Sequence, residues 1–187
     1  MFKNILIFGH SNIGDVIYDL AVINPLRESY PNAKITFLCS SRCWDIVSGY
    51  KGIDRIIVLD RHGKNRGFFS RLCFTAALRK EKFDLVIVLT SSLNYILLRA
   101  PAVWRVQRQM RLRHDHPVDR YIDTLRFYGL IVKDASFSFG LNEKDVSFSF
   151  EFLKYRGIDP RDTLIGILPL AAWPCLLYTS PSPRDRT

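Results

Sequence analysis

Short runs of apolar residues, many of them β-branched, recur along the chain with room for a helix between them. The runs are nearly continuous in hydrophobicity rather than alternating, which is typical of parallel strands covered on both faces. They predict six strands, at Lys3–Phe8, Lys34–Cys39, Arg55–Leu59, Asp84–Leu89, Ala102–Val106 and Leu164–Leu168.

The segments between these runs have helical character. In one of them, Pro117 suits the first turn of a helix and Gly129 suits the residue just beyond its end. The predicted helices are Asp15–Tyr30, Arg42–Tyr50, Gly67–Lys82, Pro117–Gly129 and Asn142–Gly157. Strands that alternate with helices of this length predict an α/β fold, a doubly wound parallel sheet. Such a sheet binds ligands at the carboxyl ends of its strands.

The loop after the first strand, Phe8–Val16, is the richest in candidate chemistry. Its first and last glycines, Gly9 and Gly14, let the backbone turn and approach a ligand. The dinucleotide fingerprint is incomplete, and the P-loop fails because Asp15 and Val16 follow Gly14 where Lys and Ser or Thr are required. An anion beside Asp15 would be repelled, whereas a sugar hydroxyl could lose a proton to it. The alternative is that Asp15 only complements the helix dipole, worth about 0.3–1 kcal/mol.

Composition narrows the class of protein without choosing a function. The 187 residues are 48% hydrophobic, enough for one domain and the start of another. The absence of any apolar stretch of about 18 residues argues against a membrane-spanning helix. Four cysteines without paired spacing favour a reducing, cytoplasmic setting. Cys39 and Cys43 are interpreted as core and helix-start residues rather than as metal ligands.

The chain has a net charge of +9, and some of its basic residues form two clusters. Such clusters attract anionic ligands, although a solvated face is the alternative for any single arginine. The sequence has no zinc-finger spacing and no RNA-binding strand motif, so we expect no nucleic-acid partner and favour an anionic small molecule or lipid head group. The clusters are Arg99, Arg105, Arg108, Arg111 and Arg113, and Arg61, Lys64, Arg66 and Arg71.

The chain changes character near its end. Leu164–Pro169 begins a new strand that should open a second unit, but the sequence after Pro174 loses all periodicity. Cys175–Asp185 also looks like the translation of a transposase adapter used in sequencing libraries, so residues 175–187 are interpreted as non-native. The expected organisation is one domain at residues 1–160 and the truncated start of another at residues 161–174.

An ordered set of motifs resembles glycosyltransferase family 9, the ADP-heptose:lipopolysaccharide heptosyltransferases. The first matches the Ser-x-x-Gly-Asp-Val signature that opens the family, and together the motifs cover residues 1–174. They are Ser11–Val16, Asn24–Arg27 continuing to Tyr30–Ile35, Ile53–Asp60, Lys82–Ile87, His116–Tyr121 and Gly166–Pro174.

The resemblance implies a GT-B architecture, in which two Rossmann-like domains face each other and the chain represents the N-terminal, acceptor-binding half. Asp15 matches the family's general base. The resemblance assigns acceptor-binding roles to Ser11, Asn12, Gly14, Arg61, Lys64, Arg66 and Arg120, and donor-binding roles to Ala171 and Ala172. It implies neither a metal nor a cofactor.

The implied substrates are a nucleotide-sugar donor, such as ADP-heptose, and an anionic glycolipid acceptor of the lipopolysaccharide-core type. The implied location is the cytoplasm, with peripheral contact of the Arg99–Arg113 segment with the inner membrane. Because the donor half is missing, we expect the chain alone to be inactive. The alternative function is a non-catalytic Rossmann-like module that binds a nucleotide or an anionic glycolipid.

The sequence departs from the family pattern at several positions. His10 and Asn12 differ from the commonest loop, and Asp19 stands where small polar residues are frequent. These three residues put the identity of the acceptor in doubt. In the last motif, Leu170 and Ala172 replace Gly and Ser, and Cys175 stands in place of the expected Lys.

Overall fold

A computed structural model of the chain describes residues 2–60, 67–91, 93–132, 141, 143–159 and 161–167. It divides into two compact units, Met1–Asn142 and Glu143–Thr187. The first unit contains the sheet and six α-helices among its described residues. The described part of the second contains one helix, Glu143–Tyr155, none of whose residues is buried.

Five strands form one parallel sheet in the order β3-β2-β1-β4-β5. The central strand β1 pairs with β2 on one side and with β4 on the other, all in parallel register. This order confirms the predicted doubly wound sheet, and each of the first five predicted strands is present. The strands are β1 at Asn4–Phe8, β2 at Lys34–Cys39, β3 at Arg55–Val58, β4 at Leu85–Val88 and β5 at Ala102–Arg105.

The continuous apolar runs are explained by burial on both faces of the sheet. In β1, Ile5 and Ile7 belong to one core cluster, whereas Leu6 and Phe8 belong to the other. All four strand residues of β4 are likewise buried. Because successive side chains of a strand point to opposite faces, a strand with a core on each side needs apolar residues at every position.

Helices cover both faces of this sheet. The first core cluster includes residues from the helices that follow β1 and β2 and from the helix at Pro117–Phe127, and the second includes Leu78 from the helix between β3 and β4. The helices are α1 at Ile13–Asp19, α2 at Ile23–Ser29, α3 at Trp44–Ser48, α4 at Phe68–Lys80, α5 at Arg108–Arg113, α6 at Pro117–Phe127 and α7 at Glu143–Tyr155.

Three details differ from the sequence prediction. The single helix expected at Asp15–Tyr30 is α1 and α2 joined by a 3₁₀ turn, Leu20–Val22. The helix α5 and a 3₁₀ helix at Asn94–Leu98 were not predicted. The sixth predicted strand is wrong over its described residues, Leu164–Ile167, which form no strand. Among the described residues no strand pairs with this segment, and Leu164, Ile165 and Ile167 are more than half exposed.

Two carboxylates fix the amino ends of the strands. Asp84 Oδ2 accepts from the backbone N–H groups of Lys3 and Asn4 at 2.9 Å each, which ties the start of β1 to that of β4. Asp54 Oδ2 accepts from the N–H of Ile35 at 2.7 Å, which ties the start of β2 to that of β3. These contacts give a structural role to Asp54 and Asp84, which both lie in family-like motifs.

Arg27 also stabilises the amino ends of the strands, through its guanidinium group. It donates to the carbonyl oxygens of Pro31, Ala33 and Gly52 at 3.1, 2.7 and 2.7 Å and to Asp54 Oδ2 at 2.7 Å. Burial opposes ionisation of Asp54, but the N–H of Ile35 and the charge of Arg27 hold its pKa below the ordinary value. Arg27 therefore joins α2, β2 and the turn before β3.

We expect Arg27→Met to lower the free energy of unfolding by about 1–3 kcal/mol, because three carbonyl groups and a carboxylate lose their donor while the aliphatic stem is kept. Urea unfolding of the wild type and the variant measures this. The control is Arg79→Met on the exposed face of α4, which should change stability by less than about 0.5 kcal/mol. Equal effects of the two substitutions would contradict the role of Arg27.

Candidate functional site

The loop after β1 lies at the carboxyl edge of the sheet, where the chain order reverses between β1 and β4. This is the position at which doubly wound sheets bind ligands. The loop is tied to the neighbouring strand: the Gly9 N–H donates to the Leu38 carbonyl oxygen at 3.1 Å, and the Ser11 carbonyl oxygen accepts from Ser40 Oγ at 2.7 Å. The Cys43 thiol also donates to the Ser11 carbonyl oxygen, at 3.4 Å.

The two glycines of this loop have different roles. A Cβ atom at Gly9 would lie 2.8 Å from Phe37 Cζ and 3.0 Å from the Leu38 carbonyl oxygen, so the close contact between β1 and β2 requires glycine there. A Cβ atom at Gly14 would meet no atom within 4 Å. Gly14 therefore lies beside open space, and neither packing nor a positive φ accounts for it among the described residues.

Asp15 is half-buried in the first turn of α1, next to Gly14. The side-chain amide of Asn12 donates to Asp15 Oδ2 at 3.1 Å. Asn12 is the N-cap residue of α1, but its side chain makes no capping hydrogen bond. Its amide is instead aimed at Asp15, which orients that carboxylate. Ser11, Asn12 and Gly14 are exposed around it, so four residues predicted for the site lie together on this loop.

Beneath the loop lies an ion pair that the sequence motifs did not predict. Asp19, on α1, is fully buried, and both of its carboxylate oxygens are bound by His10. The backbone N–H of His10 donates to Oδ2 at 2.7 Å, and the ring nitrogen Nδ1 lies 2.9 Å from Oδ1. The His10 side chain remains 25% exposed. The sequence does carry an indication of this pair, because the charged residue Asp19 lies among the apolar core positions Val16 and Leu20.

The pair retains protons more strongly than its separate groups would. Burial raises the pKa of Asp19, although the hydrogen bonds from His10 oppose this rise. Burial alone would lower the pKa of His10, but the hydrogen bond and charge of Asp19, together with the charge of Asp15, raise it above its ordinary value. The rise at Asp19 is therefore due to burial, which disfavours its charged form, and the rise at His10 is due to the carboxylates beside it, which favour the imidazolium.

Helix α6 packs beside the His10–Asp19 pair. The ring of Tyr121 stacks on that of His10 with centroids 6.4 Å apart, and Tyr18 of α1 contacts His116 edge-on at 5.0 Å. Burial raises the pKa of Tyr121, and the charges of Asp19 and Asp15 raise it further. The tyrosine therefore stays a neutral group beside the two carboxylates.

Arg120 lies on the same helix, but two of its nitrogen atoms donate to backbone carbonyl groups of the protein. Its Nε donates to the His114 carbonyl oxygen at 2.6 Å and a terminal nitrogen donates to that of Asp115 at 2.8 Å. Asp123, three residues further along the helix and within reach of an i,i+3 ion pair, instead contacts His114 at 2.6 Å and Arg126 at 3.1 Å. Arg120 thus holds the segment between α5 and α6, and its acceptor-binding role stays a prediction.

Five of the predicted site residues lie outside the described part of the chain. They are Arg61, Lys64, Arg66, Ala171 and Ala172. Within the described residues, no group of three or more His, Cys, Asp or Glu side chains could hold a metal ion, and no helix has the length and apolarity to cross a membrane. Cys39 and Cys43 are buried, and burial raises the pKa of the Cys39 thiol to about 12.

No protein-family model and no curated protein matches the chain. Several solved structures, however, are similar to it. A family 9 glycosyltransferase from Veillonella parvula aligns with a TM-score of 0.77 at 23% identity, over 92% of this chain and 55% of that one. The E. coli ADP-heptose lipopolysaccharide heptosyltransferase II aligns with a TM-score of 0.61 at 18% identity, over 84% and 52%. E. coli heptosyltransferase WaaC with ADP gives 0.53 at 18% identity, over 69% and 48%.

These similarities concern the fold. They confirm a Rossmann-like, doubly wound parallel sheet of the kind found in GT-B glycosyltransferases, a fold that the chain shares with the family 9 structure. The chain spans about half the length of the solved structures that it matches.

We expect Gly9→Ala and Gly14→Ala to have opposite effects on stability. Gly9→Ala should lower the free energy of unfolding by about 1–3 kcal/mol, because the new methyl group collides with Phe37 and with the backbone at Leu38. Gly14→Ala should leave it unchanged or raise it by up to about 1 kcal/mol, because the methyl group enters open space in a helix. Thermal and urea unfolding of both variants test the pair, and a destabilised Gly14→Ala protein would show that this space is not open.

The ion pair predicts a pH dependence of stability. The pKa of His10 is higher in the folded chain than its ordinary 6.5, so the stabilisation from this residue is complete below pH 6.5 and is lost as the pH rises through the raised value. Urea unfolding between about pH 6 and pH 8 should therefore show a decline in the wild type that is weaker in His10→Gln. The same decline in both proteins would exclude His10 as its source.

Proposed function

We propose that the chain is the acceptor-binding half of a glycosyltransferase that moves a sugar from a nucleotide-sugar donor to an anionic glycolipid. The observation that carries the proposal is the position of Asp15 at the carboxyl edge of the central strand, oriented by Asn12 and flanked by the open space at Gly14. A carboxylate held in this way can accept the proton of an acceptor hydroxyl as its oxygen attacks the anomeric carbon of the donor sugar.

The similarity to solved structures supports this reading at the level of the fold. One of these structures is a heptosyltransferase with ADP, and another is the same enzyme with an ADP-linked fluoro-heptose. By analogy, we propose ADP-heptose as the donor and a lipopolysaccharide-core glycolipid as the acceptor. A second, donor-binding half would follow residue 160, and the chain without it would transfer no sugar.

The basic segment between β5 and α6 supports a place for the protein at an anionic membrane surface, on its cytoplasmic face. Arg108, Arg111 and Arg113 are exposed on α5, as is Leu112, which is 79% exposed. Cationic side chains around an exposed apolar residue suit anionic lipid head groups, each contributing about 1 kcal/mol near the surface.

The decisive experiment is Asp15→Asn in the full-length gene product, assayed by release of the nucleotide from the donor in the presence of glycolipid acceptor. The substitution keeps the size of the side chain and removes its basicity. We expect kcat to fall by about 10²–10⁴-fold if Asp15 is the general base, with little change in the KM for the acceptor.

The matched control is Asp45→Asn, because Asp45 also lies in the first turn of a helix, α3, and is exposed. If the role of Asp15 is only to complement a helix dipole, both variants should keep near-normal turnover. That result, in an active wild-type protein, would contradict the proposed base and favour a non-catalytic binding module.

A further inference from the structure

His10 is more than a structural partner of Asp19. The Nδ1 atom and the backbone N–H of His10 are both used by Asp19, which fixes the orientation of the ring. Among the residues that the structure describes, none hydrogen-bonds to the other ring nitrogen, Nε2. The side chain is a quarter exposed at the carboxyl edge of β1, on the loop that also carries Asp15.

We propose that His10, held by the buried carboxylate of Asp19, is an anion-binding residue of this site. Its Nε2–H would donate to a phosphate or carboxylate oxygen of a sugar acceptor whose hydroxyl lies at Asp15. The proposal rests on the proposed function in that a sugar acceptor occupies this edge. His10 then contributes to acceptor binding, and Asp19 acts as a positioning residue that keeps Nδ1 protonated and the ring in place.

The charges around His10 explain why it should carry a proton when it binds. Asp19 and Asp15 face it from α1, Arg111 acts on it from α5, and the neutral ring of Tyr121 packs against it from α6. With a neutral imidazole, two carboxylates and one guanidinium leave this site negatively charged, which disfavours an anion. Protonation of His10 balances the charges, so the anion should bind preferentially to the imidazolium form.

A buried carboxylate also makes the imidazolium form accessible near neutral pH. Both oxygens of Asp19 are committed to His10, and the carboxylate is fully buried, so a cation on the ring is the group that compensates its charge. The raised pKa of His10 agrees with this arrangement. Binding of an anion at Nε2 should raise that pKa further, because binding and protonation are linked.

The test uses the 187-residue chain labelled with ¹⁵N and followed by two-bond ¹H–¹⁵N correlation of the imidazole rings. The probe is glucose 6-sulfate, a sugar whose anionic charge does not change near neutral pH, with glucose as the uncharged control. We expect Nδ1 of His10 to be protonated throughout, a pKa above 6.5, and sulfated-probe affinity that falls by up to about tenfold per pH unit above that pKa. Affinity for glucose should not change with pH.

Three variants make the test specific. His10→Gln should weaken binding of the sulfated probe at about pH 6 by about tenfold and remove its pH dependence. Asp19→Asn should move both the His10 titration and the pH dependence of binding to lower pH. The matched control is His114→Gln, because His114 also pairs with a carboxylate, Asp123, and is 24% exposed. This control should behave as the wild type does.

Two results would overturn the proposal: glucose 6-sulfate that binds no more tightly than glucose, or a pH dependence that persists in His10→Gln. Asp15→Asn separates the proposal from the function on which it rests, because that variant keeps the His10–Asp19 pair. Binding of the probe should still depend on pH through His10, but the dependence should move to lower pH because the charge of Asp15 no longer raises the pKa of His10. If transfer is unaffected by Asp15→Asn while probe binding still depends on His10, the proposed base fails and the anion site stands.

Discussion

The structure depends on the pairing of the central strand β1 with a neighbour on each side. Both ladders are parallel, and both faces of β1 are buried, so the strand cannot shift by one residue without exchanging its two cores. Asp84 fixes its amino end by accepting two backbone N–H groups. The position of the loop that follows Phe8 is consequently set by the sheet, and the loop requires little rigidity of its own to hold Asp15 in place.

The sequence was most informative where burial is continuous. Each run of apolar residues that has a partner strand became a strand, because a parallel sheet with two covered faces requires such runs. The sequence did not predict the short elements correctly. Helix α5 has one buried residue among its six, Met110, so it has no apolar periodicity to detect. At Leu164–Ile167 the composition of a strand is present, but strand formation also requires a neighbour, which composition cannot supply.

The candidate site was predictable in part. The position of Asp15 followed from the order of strand, glycine loop and helix, and the resemblance to a known family supplied the role that is proposed for it. The contact between His10 and Asp19 did not follow, because it joins a loop to a helix nine residues later and belongs to no recognised motif. The deviations of the chain from the family pattern were visible, but only the geometry shows that two of them are one interaction.

Because His10 and Asp19 bind each other, a substitution at one of the two positions changes which residues are tolerated at the other. Replacing His10 alone with an apolar residue would leave a buried carboxylate without its cation, a change that typically costs about 3–5 kcal/mol. Libraries that vary this loop should therefore randomise both codons together. A scan of single apolar substitutions would leave the partner side chain buried and unpaired, and would miss uncharged pairs that fill the same space.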